Sequence, residues 1–280
     1  MLKRSFVPGD EWLYYKLYCN PLNADIILIN YLKPLLDSLK NEMRVKNSFF
    51  VRYEDPKYHI RLRIQFNTIS EISNALIKIS QRLHVALSYK LIYNVELSTY
   101  ERELERYSYH NIELFERAFS SNSYFVLSVL NYIQDPMKKI FLATKMIDSI
   151  FTSFGLSNER RLTICNSVRR SLINEFNADK AFLKSLNSMY SMERKKLRMF
   201  LESSENAFNN SELIVELNKY SDYSKTIYVE LVKQENFKYE GLISLVHMNI
   251  NRVFTTSQRM YELICYEFIT KHYKYLKYRD

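Results

Sequence analysis

The sequence predicts an α+β protein built as one domain over residues 1–280, with a sheet-containing half at 1–106 and a mostly helical half at 107–280. Three observations lead there. Runs of alternating β-rich residues lie before residue 106, whereas from about Asn111 onward apolar residues recur at helical spacing. The chain has only 3 Gly and 5 Pro, which excludes a low-complexity protein and a sheet made of many tight hairpins. The change near 106 carries no linker, so the halves are expected to share one packed body.

The elements follow in order. Residues 11–18, bounded by Pro8-Gly9 and Asn20-Pro21, form an aromatic run that reads as a strand. Asn23 or Asp25 can cap a helix carrying Ile26, Ile29, Leu32, Leu36 and Leu39, with Pro34 inside the pattern as a kink or limit. Phe49–Tyr53 and Tyr58–Phe66 are β-rich runs joined through Asp55-Pro56, a hairpin. Ser70 is placed to cap a second helix through Leu83, and Lys90–Leu97 alternates as another strand. Strand, helix, strand, strand, helix, strand is the order of ferredoxin-like sheets, with helices over one face. Helices are then expected at 111–133, 136–154, 157–176, 178–203, 210–236 and 240–275.

Composition limits the function classes. With 40 Lys+Arg and 31 Asp+Glu the net charge is 40 − 31 = +9, which suggests an anionic partner. The three glycines are too scattered for a phosphate-cradling loop. Cys19, Cys165 and Cys265 form no CxxC pair and read as buried reduced thiols. No HExxH and no histidine pair three or four apart is present, so no metal or other cofactor is expected. The N-terminus lacks an apolar signal core and no apolar run reaches about 18 residues, so the expectation is a cytoplasmic protein.

Candidate chemistry concentrates in the hairpin. On a strand, Tyr58, Ile60, Leu62, Ile64 and Phe66 face one way, toward the helices, and His59, Arg61, Arg63 and Gln65 the other. The three potentially cationic side chains stand about 7 Å apart, and such a row is best relieved by an anion or by carboxylates such as Glu96 on a neighbouring strand. Arg52 is expected to extend the patch. Two further stretches are candidates to complete a pocket: 100–107, which taken alone reads as a solvated charged segment, and 247–252 in a late helix, where His247 and Asn251 share a face.

Taken together, RYEDPKYHIRLR (52–63), YERELERY (100–107), HMNINR (247–252) and the opening WLYYKLYCNPLNADIIL (12–28) resemble the thiopeptide-type bacteriocin biosynthesis domain. This is the small C-terminal elimination domain of lantibiotic dehydratases, also found as a stand-alone protein. The resemblance spans about residues 11–270. It implies a lyase that removes glutamate from glutamylated Ser or Thr of a precursor peptide, leaving dehydroalanine or dehydrobutyrine. A separate subunit using glutamyl-tRNA would do the glutamylating, and direct nucleic-acid contact is not expected. The family's catalytic residues map onto Arg61, Arg63, Arg106 and His247, with Arg52, His59 and Asn251 as substrate-binding candidates.

The chain departs from the family at Ser108-Tyr109, where relatives carry Gly-Gly, and at Asn122-Ser123, where they carry an acidic residue before Ser. Two other functions stay open. A pyridine-forming cyclase of thiopeptide pathways shares the resemblance but generally matches the HIRLR and HM motifs poorly. An RNA-binding sheet would use Phe50 and Arg52 to stack bases beside Arg61 and Arg63.

Overall fold

The computed structural model describes residues 2–107, 110–203, 210–235, 237 and 239–278. In chain order the elements are β1 (Ser5–Phe6), β2 (Trp12–Cys19), α1 (Ala24–Ile27), a π turn Leu28–Leu32, α2 (Lys33–Glu42), β3 (Val45–Tyr53), β4 (His59–Phe66), α3 (Ile72–Ser88), β5 (Ile92–Ser98), β6 (Tyr100–Glu101) and α4 (Leu104–Tyr107). The helices α5 (Ile112–Val129), α6 (Pro136–Ser153), α7 (Asn158–Glu175), α8 (Lys180–Ser203), α9 (Ser211–Val232), α10 (Tyr239–Val253) and α11 (Gln258–Lys277) follow. The fold is α+β, as the patterning requires.

Local chemistry explains several boundaries. Pro34 lies in the first turn of α2, where its missing N–H costs nothing, and the π turn before it absorbs the irregularity. Asp135 accepts from the Lys138 N–H at 2.9 Å and Ser157 from the Arg160 N–H at 3.3 Å, capping α6 and α7. Ser70 does not cap α3; it lies in a 3₁₀ turn, Ile69–Glu71, that leads into it. The helix expected at 240–275 is two helices, because Ser257 adopts φ 54° and turns the chain between α10 and α11.

Contacts divide the chain into two compact units, Met1–Asn131 with Glu230–Thr256, and Tyr132–Val229 with Ser257–Asp280. The change of secondary structure near 106 thus falls inside the first unit. In the second unit Asp148 accepts from the Tyr273 hydroxyl at 2.7 Å and from Arg161 at 3.1 Å, and Glu267 pairs with Arg169 and with Lys271 at 3.0 Å. Cys19, Cys165 and Cys265 are all buried free thiols. No helix among the described residues is long and apolar enough to cross a membrane.

The first unit holds the sheet, in the order β3-β4-β2-β5 with every neighbouring pair antiparallel. This is the ferredoxin-like arrangement. Ile60, Leu62, Ile64 and Phe66 are all but fully buried on one face, and Arg52, opposite Ile60, reaches Asp25 of α1 at 2.6 Å on that same face. His59, Arg61, Arg63 and Gln65 therefore point away from α1. Arg52 does not extend their patch: strand register places it on the far side of the sheet, where it is buried and paired. Phe50 lies on the far side too, which removes the proposed base-stacking pair beside Arg61 and Arg63.

β3 is an edge strand, and its outward backbone groups are met by side chains of α5 and α10. The N–H groups of Ser48, Phe50 and Arg52 donate to Ser120 Oγ (3.1 Å), Ser123 Oγ (3.1 Å) and Asn251 Oδ1 (3.0 Å). The carbonyls of Phe50 and Arg52 accept from Arg252 Nε (2.8 Å) and Asn251 Nδ2 (2.9 Å). Both ends of the Asn251 amide thus engage the backbone of Arg52 and bind strand to helix. At the family departure, Asn122 accepts from Arg252 at 3.3 Å and Ser123 serves the strand edge.

Two predictions follow from this packing. Asn251→Ala leaves a buried N–H and a buried carbonyl without partners and should cost about 2–4 kcal/mol in urea unfolding. Burial pushes the imidazoles of His59 and His272 below their ordinary value of 6.5. The unfolded chain takes up those protons first, so stability is full above 6.5 and falls as pH drops toward 5, by up to about 1.4 kcal/mol per pH unit for each histidine. Urea midpoints measured across pH 5–7.5 should show that slope, and replacing both histidines by Phe should flatten it.

Candidate active site

The face of the sheet that carries the arginines closes into a cavity of about 140 Å³. Arg61 and Arg63 come from β4, Arg106 from α4 and His247 from α10, and all four line it. The structure thus brings together residues that lie far apart in the sequence. Asn251, Glu101 and Glu103 line it as well.

Arg63 sits in a cage of rings. Its guanidinium carbon is 4.4 Å from the centre of the Tyr14 ring, 4.8 Å from that of Tyr100 and 5.3 Å from that of Phe49. Its Nε is buried without a hydrogen-bond partner among the described residues. Tyr14 is directly opposite Arg63 on β2, and Phe49 opposite it on β3, so the strand register builds two walls of the cage. The third, Tyr100, is held by the short pairing of β6 with β1, where Phe6 is opposite it, and by its hydroxyl donating to Glu116 at 2.8 Å.

Arg61 lies over the Tyr53 ring at 3.3 Å and donates Nε–H to His59 Nε2 at 3.0 Å. Neither Arg61 nor Arg63 forms an ion pair with a carboxylate among the described residues. Glu96, the carboxylate alternative to a bound anion, meets Lys16 at 3.4 Å and the Tyr18 hydroxyl at 3.2 Å. Arg106 is exposed, donates to Ser244 Oγ at 3.2 Å and pairs with Glu103 at 3.1 Å. His59 is buried beneath this group, 1% exposed, and so touches Arg61 rather than open solvent.

The 100–107 segment is less solvated than its charge suggests. Arg102 is buried and grips Glu116 with two hydrogen bonds of 2.7 Å, while Leu104 and Tyr107 also turn inward. That anchor presents Arg106 to the cavity. Ser108-Tyr109 lies outside the described residues. Sequence reasoning did not find Tyr14, Phe49, Tyr53, Tyr100 or Ser244; only Ser244, three residues before His247 on one helix, left a readable spacing.

Chemically, the cavity offers guanidinium groups with free hydrogen-bonding capacity, a surface of aromatic rings that excludes water from one side of them, and one imidazole. Such a set fits a carboxylate-bearing ligand.

Comparisons with known proteins identify the family. The family described as the C-terminal region of the lantibiotic biosynthesis dehydratase matches residues 12–273. The subtilin biosynthesis protein SpaB of Bacillus subtilis is 25% identical over 271 residues, covering 92% of this chain and 25% of SpaB. The nisin biosynthesis protein NisB of Lactococcus lactis subsp. lactis is 32% identical over 134 residues, 48% of this chain and 13% of NisB. Among solved structures, the tRNA-dependent lantibiotic dehydratase MibB from Microbispora sp. 107891 superposes with a TM-score of 0.71 at 18% identity, over 100% of this chain and 29% of MibB. The pyridine synthase TbtD from thiomuracin biosynthesis gives 0.61 at 11% identity, over 94% of this chain and 97% of TbtD. The chain spans a quarter or less of the curated relatives it matches. With a match over nearly all of its length, the chain belongs to the family of lantibiotic dehydratase C-terminal domains.

Proposed function

We propose that this chain is the glutamate-eliminating lyase of a lanthipeptide or thiopeptide pathway, acting on Ser or Thr esters of glutamate in a ribosomal precursor peptide. The observation that carries the reading is the pair Arg61 and Arg63, two guanidinium groups facing one cavity with no carboxylate among the described residues paired to either. The leaving group of the elimination is a carboxylate, and an arginine fork holds that group by two hydrogen bonds.

In this reading His247 takes the proton from Cα of the modified residue. The electron pair forms the Cα–Cβ double bond, the Cβ–O bond breaks, and glutamate departs as the carboxylate. Arg61 and Arg63 hold the glutamyl group, and Arg106 stabilises negative charge on the neighbouring peptide carbonyl as the proton leaves. A separate glutamylating subunit, using glutamyl-tRNA, supplies the modified peptide in the cytoplasm.

The cyclase reading draws support from the likeness to TbtD, which at 11% identity concerns fold alone. Joining two dehydroalanines releases no carboxylate and gives Arg61 and Arg63 no anion to hold. Mass spectrometry separates the alternatives: elimination removes one glutamate for each modified residue, cyclisation expels a leader fragment.

His247→Ala should let glutamylated peptide accumulate, lowering the rate of glutamate loss about 10²–10⁴-fold in a time course with purified glutamylated peptide. A rate within threefold of the parent would remove His247 from the chemistry. Arg63→Lys should lower the rate at least about tenfold, because an ammonium reproduces neither the planar fork nor the stacking in the aromatic cage.

A further inference from the structure

His59 points to a second level of organisation in this site, one that rests on the reading of the cavity as a carboxylate site. An arginine Nε–H can only donate, so the nitrogen it meets at 3.0 Å, His59 Nε2, must carry a lone pair. The imidazole proton is then on Nδ1, which donates to the Lys57 carbonyl at 2.8 Å. The loop carbonyl selects the tautomer, and the tautomer supplies the acceptor for Arg61. The rings of Tyr18, at 4.8 Å, and Tyr53, at 5.4 Å, hold the imidazole from β2 and β3. Tyr53 also lies against the Arg61 guanidinium, so one aromatic assembly fixes both partners.

We propose that His59 is a positioning residue: its neutral Nδ1–H imidazole fixes the Nε edge of Arg61, which leaves the two Nη groups to hold the substrate carboxylate. The charged groups facing it are Arg61 on its own strand, Lys16 from β2 and Glu96 from β5, the latter two paired with each other. Protonation would take away the acceptor and set an imidazolium against a guanidinium. Desolvation opposes that event and holds the imidazole below its ordinary range.

The test uses the isotope-labelled full chain. NMR reads the tautomer of His59 and the exchange protection of the Arg61 Nε–H at pH 7, and glutamate release from glutamylated peptide reads activity. The parent should show the Nδ1–H tautomer and a slowly exchanging Arg61 Nε–H. His59→Gln, which keeps an acceptor near the Nε2 position, should retain that protection and a rate within about threefold. His59→Phe, which keeps a ring and removes the acceptor, should lose the protection and about ten- to a hundredfold in rate, the worth of a hydrogen bond to a charged group. A parent in the Nε2–H tautomer overturns the proposal whether or not the variants fold. So does a folded His59→Phe variant with Arg61 still protected and a parental rate. A parent with the expected NMR signature that releases no glutamate leaves the positioning role standing and removes the elimination reading instead.

Discussion

An unpaired sheet edge must find hydrogen-bond partners, and in this protein the partners are helix side chains. Ser120, Ser123, Asn251 and Arg252 close the outward backbone of β3 between Ser48 and Arg52. An edge met in this way neither recruits a foreign strand nor leaves buried amides unsatisfied. The same contacts determine where chemistry can happen. Asn251 is tied to Arg52 on both its polar ends, and His247 lies one helical turn earlier on the same face. Fixing the edge therefore fixes the imidazole beside the arginines of the neighbouring strand.

The second feature is the use of rings instead of carboxylates around Arg61 and Arg63. A guanidinium over an aromatic face gains about 0.5–2 kcal/mol, depending on how dry the site is. It keeps its full charge and its N–H groups while doing so. Pairing with Glu would satisfy Arg61 or Arg63 better and would also fill the place of an incoming anion. Arg102 shows the alternative within the same unit: buried against Glu116 with two hydrogen bonds of 2.7 Å, it is an anchor whose charge is already met.

Much of this was legible in the sequence. Alternation along residues 58–66 sorts Ile60 and Leu62 from Arg61 and Arg63, and the order of elements gives the ferredoxin-like sheet. What stayed hidden depends on pairing between strands. The face on which Arg52 lies follows from its register opposite Ile60, and single-strand alternation cannot supply that relation. The cage around Arg63 hides for the same reason, since Tyr14 and Phe49 become its walls only through β2 and β3. The break at Ser257 carries neither Gly nor Pro, so the usual turn signal is missing. The purpose of Asn251 depends on a backbone 199 residues away.

That separation bears on how the chain is made. The first unit is completed by Glu230–Thr256, which a ribosome delivers only after the whole of Tyr132–Val229. Until then β3 has been synthesised without two of the side chains that close its edge, and residues as apolar as Phe49 and Phe50 flank the opening. Pairings of such high sequence distance form slowly, and open strand edges invite association with other chains. Biogenesis, more than the chemistry of the cavity, is then the stage at which this architecture is most exposed, and a ribosome that stalls or truncates before α10 would release a nascent chain with a sticky, half-built sheet.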